Sequence, residues 1–297
     1  MSINEFQTQI HALPAGLPLH YYLVADAAQD PRHPLAVQQA EPGTRSQCLL
    51  THVQGPELEG AAPHLMTFPS FDIDAASWQW VSSYGPTLPA AVSIIASPLR
   101  FEALYAHLHS FTEVVLPDGD EMIFAFWDPA VLGTLVGQAD DATLHVPGPV
   151  LTARQREKFL TGVAAWWYWD RSGKLHRILP AQNPRAESNV TLPLALTQTQ
   201  VDMLVEASVP DHILGYIRTN KPGILSKVPE TEQYPRVEKH LQGARKLNLL
   251  GMQDIVNYVC AGFIYGDQMR ENSAIELLLA KVRSGQISLT EALEQFP

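Results

Sequence analysis

Phe6, Ile10 and Leu13 recur at helical spacing behind Ser2 and Glu5, which have the spacing of a capping box, so the pattern predicts a short opening helix ending before Pro14. Leu19 to Ala25 is an aromatic and branched run between Pro18 and Asp26, the pattern of a buried strand. His64 to Phe68 and Ala91 to Ala96 read as further strands, and Ser77 to Tyr84 between them holds Trp78, Trp80 and Tyr84. Ser97-Pro98 has the form of a helix start, after which Phe101, Leu104, Leu108 and Phe111 fall on one helical face. Glu113 to Leu116 and Glu121 to Trp127 flank Pro117-Asp118-Gly119-Asp120, which predicts a hairpin with Gly119 at positive φ. Asp128-Pro129 opens a short helix through Leu132 and Leu135. Val163 to Trp169 and Lys174 to Leu179, joined by Asp170 to Gly173, form a second hairpin.

Pro180 to Pro193 has the composition of a linker. Helical patterns follow over Gln198 to Arg218, Arg236 to Leu249, Gln253 to Ile264, Ser273 to Val282 and Ser288 to Gln295, the last opened by a Ser288/Glu291 capping box. The expected fold class is therefore α+β: a mixed α/β lobe with a sheet and hairpins over 1–180, a linker over 181–195, and an all-helical lobe over 196–297.

Proline distribution supports that division, because 18 of the 23 prolines lie at or before Pro193 and none lies between Arg236 and Phe296. Charge divides the chain as well. Residues 1–150 carry three basic groups (Arg32, Arg45, Arg100) and 16 acidic ones, whereas residues 151–297 carry 17 and 15. An acidic first half repels phosphate backbones, so no nucleic-acid partner is expected. No apolar stretch has the length of a membrane span and the first residues lack a secretory-signal layout, so the expected location is cytoplasmic with no membrane partner. Cys48 and Cys260 stand in no paired spacing and read as free thiols rather than a disulfide or a zinc site.

The chain lacks the G-x-S-x-G elbow, the phosphate-binding loop, the dinucleotide-binding glycine turn and H-E-x-x-H, which lowers the standing of the corresponding enzyme classes. His107 and His109, two apart on a helix, point about 200° apart and cannot share a metal. Cys48 with His52 resembles a nucleophile and base but reads as an ordinary buried thiol. The pairs Asp72/Asp74, Asp118/Asp120 and Asp140/Asp141 read as solvated turn residues, too few for a calcium loop. No catalytic residue, metal or cofactor is expected. On a strand, Trp166-Trp167-Tyr168-Trp169 sends Trp166 and Tyr168 to one face and Trp167 and Trp169 to the other. Two readings of this run stand: a sheet covered on both faces, or an aromatic surface for a partner.

Several segments together resemble the bacterial type VI secretion adaptor or chaperone proteins, often called Tap or Tec. They are Tyr22-Leu23-Val24-Ala25-Asp26-Ala27-Ala28, Ala62-Pro63-His64-Leu65, Ile95-Ala96-Ser97-Pro98-Leu99 leading into Leu104-Tyr105-Ala106-His107-Leu108, Leu116-Pro117-Asp118-Gly119, and Phe124-Ala125-Phe126-Trp127-Asp128-Pro129-Ala130-Val131-Leu132. Order and spacing agree over roughly residues 20–180. Ala125, Ala130 and His109 stand where the family often has arginines, so an arginine contact is not carried over to these positions.

The resemblance implies a non-enzymatic adaptor that binds a secretion effector and helps load it onto the carboxy-terminal region of the spike protein, VgrG, as a monomer in a one-to-one complex with the effector. It marks Asp26, Pro63, Ser97, His107, Gly119, Asp128 and Pro129 as structural signature positions, and Tyr84, Trp127, Trp166 and Tyr168 stand as candidate partner-binding aromatics. The alternative is an enzyme or small-ligand binder using a cleft between the two lobes.

Overall fold

The computed structural model describes residues 3–13, 18–30, 43–50, 55, 60–181 and 190–297. Ser2 of the first capping box, His52 and most of the expected linker lie outside the described residues. The chain divides into two compact units, Met1–Ala207 and Ser208–Pro297.

The first unit is built on a six-stranded sheet. Strands β1 (His20–Asp26), β2 (Ser46–Cys48), β3 (Pro63–Phe68), β4 (Val92–Ser97), β7 (Ala165–Trp169) and β8 (Leu175–Ile178) are arranged in the order β2-β3-β1-β4-β7-β8. Every neighbouring pair is antiparallel, with Leu23 opposite Met66 on one side and Ile94 on the other. Antiparallel sheets commonly leave one face wet, which gives alternating polarity. Here β4 and β7 are buried at every position, so their sequences are nearly continuous apolar runs.

The reason is a helical layer on each face. One core joins Tyr22, Val24, Ile95, Trp166 and Tyr168 to Leu104 and Leu108 of α3 (Phe101–His109), Leu132 and Leu135 of α4 (Pro129–Val136) and Phe159 of α5 (Ala153–Phe159). The other joins Leu23, Ile94, Trp167 and Trp169 to Phe6 of α1 (Ile3–His11) and to Trp78 and Val81 of α2 (Ala76–Tyr84). Phe6 meets Trp78, Trp167 and Trp169 edge to face at centroid distances of 5.6, 6.1 and 5.6 Å. The Trp169 ring lies so close over Gly85 that a Cβ there would sit 2.5 Å away, and this position therefore excludes any side chain. The covered-sheet reading of the aromatic run is the one the fold adopts.

Both expected hairpins form. Strands β5 (Glu113–Val115) and β6 (Glu121–Ile123) turn through Gly119 at φ +94°, and β7 and β8 turn through Gly173 at φ +79°. The first hairpin is shorter than its apolar pattern, with β6 ending at Ile123. It also gains a parallel partner, β9 (Leu194–Ala195), through Val114 opposite Leu194. Ser97 differs from expectation: it ends β4, donating to the Gly162 carbonyl (2.6 Å) and accepting from the Leu99 N–H (3.0 Å), while α3 begins at Phe101.

The expected boundary also moves. Leu194 to Leu196 are tied into the first unit by β9 and by the Leu196 N–H to Val115 carbonyl bond (2.9 Å). Gln200, near the start of α6 (Gln198–Asn220), donates to the Val150 carbonyl (2.9 Å). The division therefore falls inside α6 near Pro210, whose missing N–H removes a helical bond to the Glu206 carbonyl.

The second unit is helical: α7 (Pro222–Leu225), α8 (Glu230–Lys246), α9 (Met252–Tyr265), α10 (Gln268–Glu271), α11 (Ser273–Arg283) and α12 (Leu289–Leu293) follow α6. Tyr234, Val237, Leu241 and Ala244 of α8 form one buried stripe, and Ile275, Leu279 and Val282 of α11 another. The start of α8 is earlier than the proline pattern implied, because the helix runs through exposed Pro235. The Ser288/Glu291 capping box is present as expected.

Because β7 is dry on both sides, truncation on either face leaves a cavity. Trp166→Ala and Trp167→Ala are each expected to destabilise the first unit by about 3–5 kcal/mol. Urea unfolding followed by circular dichroism checks this, and a cost confined to one of the two would show that one helical layer is dispensable.

Candidate functional site

Of Asp140 and Asp141, read in the sequence as solvated turn residues, Asp140 is an exposed turn residue as expected, whereas Asp141 departs from that reading. Asp141 is 4% exposed and joins a cluster at the end of the second hairpin. The hairpin register places Tyr168 directly opposite His176, and their rings stack at 5.4 Å. The Tyr168 hydroxyl donates to Asp141 Oδ2 (2.9 Å), and Asp141 Oδ1 accepts from the backbone N–H (2.9 Å) and hydroxyl (2.7 Å) of Thr143. His176, fully buried, faces two carboxylates, Asp170 through Nε2 (2.9 Å) and Asp140 through Nδ1 (3.2 Å). The other Asp170 oxygen accepts from the N–H and hydroxyl of Ser172 and the N–H of Lys174, which closes the turn.

Burial pushes the Asp170 carboxyl up, but the bonds from Ser172, His176 and Lys174 outweigh it and hold the group below its ordinary value. Asp140 is likewise held low, burial being outweighed by Gln138 and His176. Tyr168 is pushed far above the ordinary tyrosine value, first by burial and then by the Asp141 charge, so its hydroxyl remains a donor.

Asp141, Asp170 and His176 bring one potential ligand atom each to within 4.8 Å of one another, all three residues being buried. Each of these side chains is already engaged in hydrogen bonds, and a cation would have to displace the His176–Asp170 and Tyr168–Asp141 contacts. The arrangement acts as a polar brace that ties the hairpin end to the segment 140–143.

The remaining singled-out residues fall into two groups. Trp166 and Tyr168 are wholly inaccessible and Trp127 is 8% exposed, so these three candidate anchors belong to the core. Tyr84 keeps a half-exposed position on α2, stacked on Trp80 at 5.0 Å and donating to Asp30 Oδ2 (2.8 Å). Sequence reasoning noted Trp80 without assigning it; its spacing of four from Tyr84 on a helix was the available signal.

Among the signature positions, Asp26 and Pro63 are paired across β1 and β3. Asp26 accepts from the Ala28 N–H (3.0 Å), and burial together with the Asp128 charge raises its carboxyl. Asp128 caps α4 by accepting from the Ala130 N–H (2.8 Å), with Pro129 at the first helical position. Gly119 makes its turn. His107 donates from Nε2 to the Phe159 carbonyl (2.9 Å) and His109 from Nδ1 to the Leu49 carbonyl (2.8 Å), on separate elements as the helix geometry required. Burial lowers His107, opposed by the Phe159 bond.

Asp72/Asp74 and Asp118/Asp120 are exposed turns, each closed by a carboxylate accepting an N–H two residues on. Cys48 and Cys260 form no disulfide; the Cys48 thiol donates to the Leu50 carbonyl (3.3 Å), and burial raises the Cys260 thiol.

Two outcomes test these structural roles. Asp128→Ala removes the cap of α4 and is expected to cost about 0.5–2 kcal/mol, read as a lower melting temperature. Asp170→Asn is expected to cost about 1.5–3 kcal/mol at pH 7. Because the folded Asp170 value is depressed, its contribution is complete above the unfolded carboxylate value of about 4 and disappears as pH falls through the folded one. Urea midpoints measured from pH 7 to pH 2 should therefore converge for wild type and variant at the acid end. A constant gap between the two curves would refute the brace.

Among the described residues no helix is long and apolar enough to cross a membrane. No curated protein and no solved structure matches the chain. Over residues 21–145, from the second residue of β1 to just beyond the Asp140/Asp141 end of the brace, the chain carries a domain that matches the family model described as Domain of unknown function (DUF4123).

Proposed function

We propose that the chain is a non-enzymatic adaptor that binds a type VI secretion effector and helps load it onto the carboxy-terminal region of the spike protein VgrG. The observation carrying this reading is the DUF4123 domain over residues 21–145, a family associated with type VI secretion adaptors. The matched stretch contains the ordered segments of the resemblance from Tyr22 to Leu132. The chemistry of the first unit supports it: His107, His109 and His176 are all committed to internal hydrogen bonds.

An adaptor needs an accessible anchor, and Trp80 with Tyr84 on α2 is such a pair, since aromatic side chains dominate binding energy at interfaces. Holding an effector in its folded or docking-competent form stabilises it by mass action, about 2.7 kcal/mol when the adaptor is at 100 times its Kd. The acidic first unit speeds encounter with a basic partner surface and rejects acidic ones.

The test is coexpression with candidate effectors drawn from the genes that neighbour the one for this chain. A one-to-one complex with a monomeric adaptor is the expected outcome by light scattering; a stable homo-oligomer with no effector bound refutes the reading. Trp80→Ala is expected to weaken the complex about 30-fold, the effect of a hot-spot residue worth about 2 kcal/mol, and to lower the melting temperature as well, because Trp80 is partly packed against the core. Tyr84→Phe keeps the stacking and should retain most of the affinity.

A further inference from the structure

The helical unit holds a cleft of about 580 Å³ walled by α8, α9, α10 and α11. Its charged lining is unequal. Lys239, Lys246, Arg270 and Arg283 face it against only Asp267 and Glu276. Lys239 is paired with Asp267 at 3.7 Å, which leaves Lys246, Arg270 and Arg283 with no ion pair among the described residues. The apolar part of the lining is supplied by Leu247, Met269 and Leu279.

Two polar groups in the lining are also unengaged. Tyr258 is 8% exposed, and its hydroxyl fits over the bare backbone of Gly243, where a Cβ would lie 2.9 Å away. That hydroxyl has no hydrogen-bond partner among the described residues, and burial raises its ionisation, opposed by Arg270, so it stays a donor. The His240 ring is fixed over Gly262, leaving no space for a Cβ, and neither of its nitrogens has a partner among the described residues. Burial, then the cations Lys239, Arg270 and Arg236, push His240 down to about 4 against the opposing Asp267, so the ring is neutral at pH 7. Three exposed cations without an ion pair among the described residues, a tyrosine hydroxyl and a neutral imidazole thus line one cleft, a set of groups that meets carboxylates through charge-assisted hydrogen bonds.

We propose that this cleft binds a short peptide segment in which carboxylate side chains alternate with apolar ones, with Lys246, Arg270 and Arg283 meeting the carboxylates and the Tyr258 hydroxyl donating to one of them. An inorganic anion would leave the Leu247, Met269 and Leu279 surface wet. The volume lies within the range of about 300–1,000 Å³ typical of binding sites for small ligands. The inference is independent of the adaptor reading, since effector binding through α2 and peptide binding here are measured separately.

The test uses the full chain and a fluorescein-labelled octapeptide alternating glutamate and leucine, followed by fluorescence anisotropy. Arg270→Glu is expected to weaken binding at least tenfold and Tyr258→Phe several-fold, with melting temperatures unchanged. Lys227→Glu, outside the cleft, should have no such effect. In NMR titrations a bound carboxylate should move the His240 ring titration upward, because it offsets the surrounding cations.

Equal affinity for the peptide with glutamine in place of glutamate would overturn the proposal, as would full affinity in Arg270→Glu. Complete displacement of the peptide by millimolar inorganic phosphate would reduce the site to a simple anion site and overturn the peptide assignment.

Discussion

The first unit depends on a single strand being dry on both faces. Trp166 and Tyr168 need α3, α4 and α5 on one side, while Trp167 and Trp169 need α1 and α2 on the other. Neither layer can be lost without exposing two large aromatic side chains, which couples the two sides of the sheet energetically. The indole N–H groups add directional constraints. Trp166 donates to Ser93 Oγ (2.9 Å) and Trp167 to Gln9 Oε1 (2.8 Å), the latter fixing α1 by a polar contact as well as by Phe6. Trp169 has no such partner among the described residues, and an unpaired buried donor costs about 1–3 kcal/mol. Its contact with Phe6 and the bare backbone of Gly85 supplies the opposing dispersion and burial terms.

Tyr168 links this apolar core to the polar brace. Its ring belongs to the core, yet its hydroxyl reaches Asp141, and its partner across the hairpin is His176. One strand residue therefore transmits the position of β7 to the segment 140–143. The buried Asp170 carboxylate beside His176 is stabilised in its charged form by N–H and O–H donors rather than by solvent, which is how buried charge is tolerated, whereas Asp140 on the other side of the ring is exposed. The same saturation argues for structure over chemistry here: a general base needs a free acceptor aimed at a substrate, and these acceptors are taken.

Features carried by local periodicity were legible in the sequence. The strands around Leu23 and Ile94, both hairpin turns, the Asp128-Pro129 helix start and the Ser288/Glu291 cap all rest on residues within a few positions of one another. The Tyr168–His176 pair was not given by the expected turn, which sets Trp169 opposite Lys174, because the observed register is one residue longer, with Trp169 opposite Leu175. Asp141 was not legible, because its burial depends on Tyr168, which lies 27 residues away in the chain. Strands β2 and β9 have only three and two residues, too short for a pattern. Helix α5 was missed although Thr152 and Gln155 form a capping box, since its charged, half-buried interior shows no apolar stripe. Trp127, Trp166 and Tyr168 were candidate anchors because aromatic content marks both interfaces and cores; burial alone separates the two cases.

Charge gives the two units different capacities. The first holds 21 acidic and 10 basic side chains, while the second holds 10 of each. A balanced total does not make a surface neutral, because charges beyond the Debye length of about 8 Å at physiological salt are largely screened and local lining sets local potential. In the second unit that lining places three unpaired cations around one cleft, whereas the anchor pair of the first unit sits in a strongly acidic one. A partner surface steered toward one of these would be discouraged from the other, since like-charge contact costs more than opposite-charge contact gains once both groups are desolvated. The first unit therefore attracts cationic surfaces through its overall charge, whereas the second, balanced in total, attracts anionic ones only where its cations gather.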